Sequence, residues 1–172
     1  MDGRSACPIN LTVELLGDRW SLVILRDMMF GDRRSFGALM AGSLEGIASN
    51  ILAARLKRLE AEGLITRAPD PGHSQRSVLS LTEASIALVP VFAALGAWGR
   101  RHRDASPELS VRAELLERGG PALWAEFMDD LRHTHLGHPR RGTGPTVMER
   151  LPAAYEAEAA RKGLTAASAG SS

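Results

Sequence analysis

The sequence predicts a mostly α-helical fold carrying one small β-hairpin, and three observations predict it. Apolar side chains recur at three- and four-residue spacings through most of the chain, the period of helices that bury one face. One stretch breaks that period: Leu64-Ile65-Thr66 and Val78-Leu79-Ser80-Leu81 are short strand-type runs on either side of a turn-rich Pro69-Asp70-Pro71-Gly72-His73-Ser74-Gln75. The residues just before it, 45–62, read as an amphipathic helix, and Gly63 stands where a C-terminal cap is expected.

Composition bounds what such a chain can be. With 172 residues, 44% hydrophobic and 24% charged, it can bury a real core and is globular rather than disordered. Lys plus Arg number 21 against 20 Asp plus Glu, so bulk charge argues neither for nor against nucleic acid. The excess is uneven: residues 1–103 carry a net +3 and residues 104–172 a net −2. No apolar run approaches the ~18 residues a membrane span needs, and no signal-peptide core opens the chain, which implies a cytoplasmic protein without membrane partners. A single cysteine excludes an internal disulfide framework. There is no Gly-rich phosphate loop, no H-E-x-x-H and no G-x-S-x-G, so neither an enzyme nor a bound cofactor is expected.

In chain order, a polar arm leads to Cys7-Pro8 and a helix over 9–16 with Leu11, Leu15 and Leu16 on its apolar side. Gly17 stops it, and Asp18 can cap the next helix, which runs to about Phe30. Trp20, Val23, Ile24, Leu25 and Met28 make that helix apolar over most of its girth, as for the buried centre of a domain. Gly31-Asp32-Arg33-Arg34 is a turn, and Ser35 can cap a short helix carrying Phe36, Leu39 and Met40. Paired arginines in a turn are often merely solvated, but such a pair beside a short helix also suits phosphate, and at least one of Arg33 and Arg34 is expected to meet it.

The helix of 45–62 sets Leu52, Leu56, Leu59 and Ala48 within about 40° of one another. Asn50, Ala53, Ala54 and Lys57 then face outwards. Asn can bond two edge atoms of adenine, Lys can meet phosphate or guanine, and two alanines let a backbone approach thymine methyls. The same face fits an ordinary surface helix; what decides is that helix, strand, loop, strand is the order of a winged helix. Arg55, about 60° from the stripe, suits either an acidic neighbour or a phosphate. Within the wing, residues 69–76, Arg76 is the strongest candidate for a phosphate or minor-groove contact, with His73 and Gln75 weaker.

These residues resemble the HxlR-type winged helix-turn-helix regulators of bacteria. The resemblance runs from Cys7-Pro8 through Gly17-Asp18-Arg19-Trp20-Ser21, Arg33-Arg34-Ser35-Phe36, the stretch 45–67 and Leu81-Thr82-Glu83 to Trp98-Gly99, roughly the first hundred residues. It implies a homodimeric DNA-binding transcriptional regulator with the helix of about 48–62 in the major groove. Where many relatives carry Ser, this chain has Ala48, so Ser49 is expected to cap that helix. Cys7 resembles the cysteine through which some such regulators sense electrophiles or oxidants, with Arg4 nearby to favour its thiolate; the alternative is a small buried side chain. A lapsed DNA surface would leave a winged helix for protein contact or ligand binding.

Thr82 is expected to cap a long helix containing Leu88, Val91, Phe92, Leu95 and Trp98, bent at Pro90. Its stripe is larger than one small domain needs, and in the family this helix and the first build the dimer. Ser85 stands where many relatives have Gly and should favour the helix. Beyond Asp104 the resemblance fades into a helical extension over 104–164: helices over 109–118 and 122–135 separated by Gly119-Gly120-Pro121, then one over 147–162, then a disordered tail over 165–172. The extension thickens the dimer, covers the core or lines a ligand pocket, in that order of preference. His133, His135 and His138 lack an acidic or sulfur companion at metal-ligand spacing and are read as solvated.

Overall fold

The computed structural model describes residues 6–161, and of residues 73–75 the backbone alone. Its elements are α1 (Pro8–Leu16), α2 (Arg19–Gly31), α3 (Phe36–Ala41), α4 (Ser49–Ala61), β1 (Ile65–Asp70), β2 (His73–Leu81), α5 (Glu83–Ile86), α6 (Val89–His102), α7 (Pro107–Leu136) and α8 (Val147–Arg161). The chain divides into two compact units, one ending at Ile86 and the other starting at Ala87. The expected disordered tail, 165–172, lies outside the described residues.

The first unit is a winged helix-turn-helix. Its centre is α2, which buries Ile24, Leu25, Met28 and Met29, with Trp20 and Val23 only half-buried. Asp18 caps α2 as predicted, and Ser35 caps α3 by accepting from the Ala38 N–H at 3.1 Å. Against these pack Leu39 of α3 and the predicted stripe Leu52, Leu56 and Leu59 of α4, all at most 2% exposed. Ala48 is the exception to the stripe: it is exposed at the N-cap. α1 differs from expectation more, because only Leu16 is buried while Leu11 is half in solvent and Ile9 and Val13 lie outside too.

Two helix ends differ in how they are closed. At the start of α4, Ser49 is already the first helical residue, where its hydroxyl does not reach the orphan N–H groups; contrary to expectation Ala48 is the N-cap and supplies no side-chain bond. At the other end the chain closes as a Schellman motif, with Gly63 N–H on the Glu60 carbonyl and Leu64 N–H on the Leu59 carbonyl at 2.9 Å. Gly63 has φ +71°, a conformation open to glycine with no Cβ penalty.

The hairpin pairs Ile65 with Leu81 and Arg67 with Leu79, antiparallel, and Leu79 and Leu81 are buried in the expected alternation. The predicted loop over 69–75 is instead mostly strand. Asp70 accepts from the Gly72 N–H at 2.9 Å, which makes a tight turn of Pro71-Gly72 and lets both strands continue almost to it. The extra residues of β2 are taken up by a register shift between Pro69 and Asp70, and Arg76 lies in the stretch the shift passes over.

The single helix expected from Thr82 is broken rather than bent. Pro90 has no N–H for the Ile86 carbonyl and its ring would strike it, so α5 stops at Ile86 and α6 starts with Pro90 in its first turn. Thr82 does not cap with its hydroxyl either: Oγ1 donates to the Gly63 carbonyl at 2.8 Å. Buried Ser85 does the joining, accepting from Thr82 N–H at 3.0 Å and donating to the Leu64 carbonyl at 2.6 Å.

The second unit is helical. α6 turns Val89, Ala93 and Ala97 inwards, while Val91, Leu95 and Trp98 are 41%, 48% and 57% exposed. The break expected at Gly119-Gly120-Pro121 is a kink in α7, with Gly120 at φ 55°, ψ −155°. Across it the Trp124 indole N–H donates to the Leu116 carbonyl at 2.8 Å. Phe127 and Leu131 of α7 and Val147 and Leu151 of α8 are buried, and Asp130 accepts the first N–H of α8 at 2.7 Å.

Replacing Ser85 by Ala removes the bonds of its hydroxyl, while Thr82 N–H and the Leu64 carbonyl keep each other at 3.2 Å. Urea unfolding of Ser85→Ala is expected to show a loss of about 0.5–1.5 kcal/mol without a change in slope.

Candidate nucleic-acid interface

α4 presents Asn50, Ala53, Ala54 and Lys57 together on an exposed face opposite Leu52, Leu56 and Leu59. Asn50 and Lys57 carry no side-chain bond to another described residue, so their polar groups are open to a ligand. Ser49 is exposed at the helix start. Arg76 is exposed on β2; the side chains of His73 and Gln75 lie outside the described residues.

The other cations near this face are engaged. Arg55 Nε donates to Asp18 Oδ1 at 2.8 Å, the acidic neighbour of the two partners the sequence left open. Arg58 Nη2 donates to the Glu14 carbonyl in the last turn of α1 at 2.6 Å, and its Nη1 lies 3.8 Å from Asp18 Oδ2. Asp18 meanwhile accepts from the backbone of Trp20 and Ser21, both at 3.1 Å, and from the Ser21 hydroxyl. Burial works against its charge, but Ser21 and the Arg55 guanidinium outweigh it and hold the carboxyl below the usual range.

Arg33 and Arg34 also have partners. Arg33 Nη1 sits 2.9 Å from Asp27 Oδ2, and Asp27, 5% exposed, is shared with Arg26, which in turn grips Glu45 at 2.5 Å. The bond from Arg26 is the main reason the Glu45 carboxyl is depressed. Arg34 donates to the Leu79 carbonyl and the Ser80 hydroxyl of β2, at 3.2 and 2.8 Å, while its own carbonyl accepts from Leu79 N–H. One arginine thus braces the turn before α3 and the other ties that turn to the wing.

Cys7 is exposed at the N-cap of α1, not buried. The backbone N–H groups of Asn10 and Ile9 hold its thiol below the ordinary value. Arg4 lies outside the described residues. His133 and His138 are exposed as expected, but His135 is buried, because α7 turns it inwards beside Leu131. Among the described residues no group of three His, Cys, Asp or Glu side chains is placed to hold a metal, and no helix is long and apolar enough to cross a membrane.

The family model for HxlR-like helix-turn-helix proteins matches residues 15–107. The chain belongs to this family. Among its relatives, an HTH-type transcriptional regulator of Synechocystis, sll1512, described as uncharacterized, is 35% identical over 67% of this chain and 82% of its own length. A regulator of Mycobacterium tuberculosis described in the same terms, Rv3095, is 38% identical over 60% of this chain and 65% of its own. The crystal structure of PA1607, described as a candidate transcription factor, superposes with a TM-score of 0.54 at 32% identity, over 60% of this chain and 70% of that one. The HxlR-like match ends soon after α6, and most of α7 and all of α8 lie beyond it.

Sequence reasoning missed the Asp18 cluster and the chain Arg33–Asp27–Arg26–Glu45. The only signal for the first was the flank position of Arg55 and Arg58 on α4; their partner is 37 residues from Arg55, a separation that helical periodicity does not read.

A carboxyl whose folded pKa lies below its unfolded value stabilises the fold above the unfolded value and loses that contribution as pH falls through the folded one. Asp18 and Glu45 are of this kind, whereas burial raises Asp32 and Asp130. The difference between wild type and Asp18→Asn therefore isolates Asp18. In thermal unfolding from pH 6 to 3, the stability gap between the two is expected to shrink as pH falls below about 4.

Proposed function

We propose that this HxlR-like chain is a sequence-specific DNA-binding transcriptional regulator that works in the cytoplasm as a homodimer. In this reading α4 enters the major groove and the β1–β2 wing meets the backbone or minor groove. The observation that carries it is the outward face of α4, where an amide and an ammonium stand open beside two alanines while every large apolar side chain of the stripe is buried. A surface built for solvent alone has no need of two adjacent small residues flanked by unengaged donors. Ser49 adds a hydroxyl at the helix start, Arg76 a cation on the wing, and Arg33 and Arg34 positive potential at the turn beside α3.

Exposed apolar rows on α1 (Ile9, Val13) and α6 (Val91, Leu95, Trp98) support a second copy of the chain as partner. Two copies of α4 related by a twofold would read inverted half-sites about 34 Å, or a multiple of that, apart.

Asn50→Ala is expected to cost ~1–3 kcal/mol of operator binding and to relax preference at one base position per half-site. Arg76→Ala should weaken operator and scrambled duplex alike and lower the salt slope by about 0.9 for each phosphate it no longer neutralises. Titrations of both variants on both duplexes at several salt concentrations separate the roles; the opposite pattern would mean that wing and helix have exchanged them.

Cys7, exposed and acidified at a helix start, fits a small electrophile or oxidant as effector. With one cysteine per chain, a thiol response takes the form of an adduct or a bond between subunits. Cys7→Ser is expected to abolish DNA release by quinone or peroxide; unchanged release would make the cysteine structural.

A further inference from the structure

We infer that Arg55 and Arg58 are positioning residues for α4: through Asp18 they set how α4 presents its reading face, and neither contacts DNA itself. This rests on the DNA-binding reading above. Both guanidinium groups leave α4 on the flank between the buried stripe and the open face, and both converge on one carboxylate that also caps α2. α4 has no side-chain cap of its own at its start, where Ala48 supplies none. These polar ties are therefore a lateral constraint on α4 of a kind its buried leucines do not give, since apolar packing is not directional.

Arg58 adds a third element. Its bond to the Glu14 carbonyl reaches the last turn of α1, a helix that buries only Leu16, and places a cation against the negative end of that helix. Asp18 therefore joins the start of α2, the flank of α4 and, by way of Arg58, the end of α1. A charge-assisted bond in this half-buried setting is sensitive to its partner in a way a solvated surface pair is not.

Asp18→Asn gives a clean perturbation, because Asn retains N-cap ability while losing the charge that holds the arginines. The experiment uses the full chain and a duplex selected by the wild type from a random pool. It compares wild type, Asp18→Asn, Arg55→Met, Arg55→Lys and the Asp18→Asn/Arg55→Met double variant, on selected and scrambled DNA over a range of salt.

If the residues position α4, Asp18→Asn and Arg55→Met each lose roughly three- to thirty-fold on the selected duplex and much less on the scrambled one. The salt slope stays at the wild-type value, the double variant is no worse than the weaker single, and Arg55→Lys recovers part of the loss. Amide hydrogen exchange in α4 should quicken in the same two single variants without DNA present. A drop of about 0.9 per phosphate in the salt slope for Arg55→Met, with equal loss on both duplexes, would make Arg55 a phosphate ligand and overturn the inference. Unchanged binding by Arg55→Met overturns it too, while leaving the DNA reading intact. A wild type that selects no duplex ends the DNA reading, and the role in presentation with it.

Discussion

The carboxylate of Asp18 is the constraint on which the arrangement of α1, α2 and α4 depends. A helix start needs acceptors for its N–H groups, and Asp18 Oδ1 meets that need for α2 while also accepting from Arg55 of the next but one helix. The same atoms serve local folding and long-range placement. Against the cost of partial burial, the Ser21 hydroxyl and N–H and the Arg55 guanidinium prevail, so the group stays ionised where an unpaired acid would tend to neutralise. The second polar chain, from Glu45 through Arg26 and Asp27 to Arg33, fixes the turns on either side of α3 to α2. Between them the two clusters hold the helix-turn-helix from both sides, and apolar burial supplies the bulk of the attraction.

Much of this fold was legible because its signals are local. The stripe of α4, the caps Asp18 and Ser35, the Gly63 stop and the alternation of Leu79 and Leu81 each depend on residues a few positions apart. The kink of α7 announced itself by Gly119-Gly120-Pro121 for the same reason. The misreadings arose where two local rules competed. Pro90 was compatible with a bent helix or a broken one, and the break won because the Ile86 carbonyl could not be bridged. Thr82 and Ser85 both offered a hydroxyl, and both became ties to the residues that lead into the wing, Gly63 and Leu64, instead of caps.

The candidate site was legible only in part. Exposure of Asn50, Ala53, Ala54 and Lys57 follows from helix geometry, whereas the partners of Arg33, Arg34 and Arg55 depend on residues that the chain brings together from 6 to 46 positions away. A guanidinium on a long flexible stem reaches whichever acceptor folding delivers, and no periodicity encodes that choice. Cys7 shows the converse: its exposure follows from the thin packing of α1, a property of the assembled unit and not of the Cys-Pro pair.

The indole bond that closes the bend in α7 makes that bend an elbow rather than a hinge. The bond joins the Leu116 carbonyl before the kink to Trp124 beyond it, and a return to a straight helix would have to run through Pro121. Pro121 blocks the return, since it has no N–H for the Glu117 carbonyl and its ring would collide with it. A change in the bend would act directly on the indole bond, which spans it. The bend thus separates two holds: Glu117 in the first half of α7 grips Arg100 and Arg101 of α6, while Asp130 in the second half accepts the first N–H of α8.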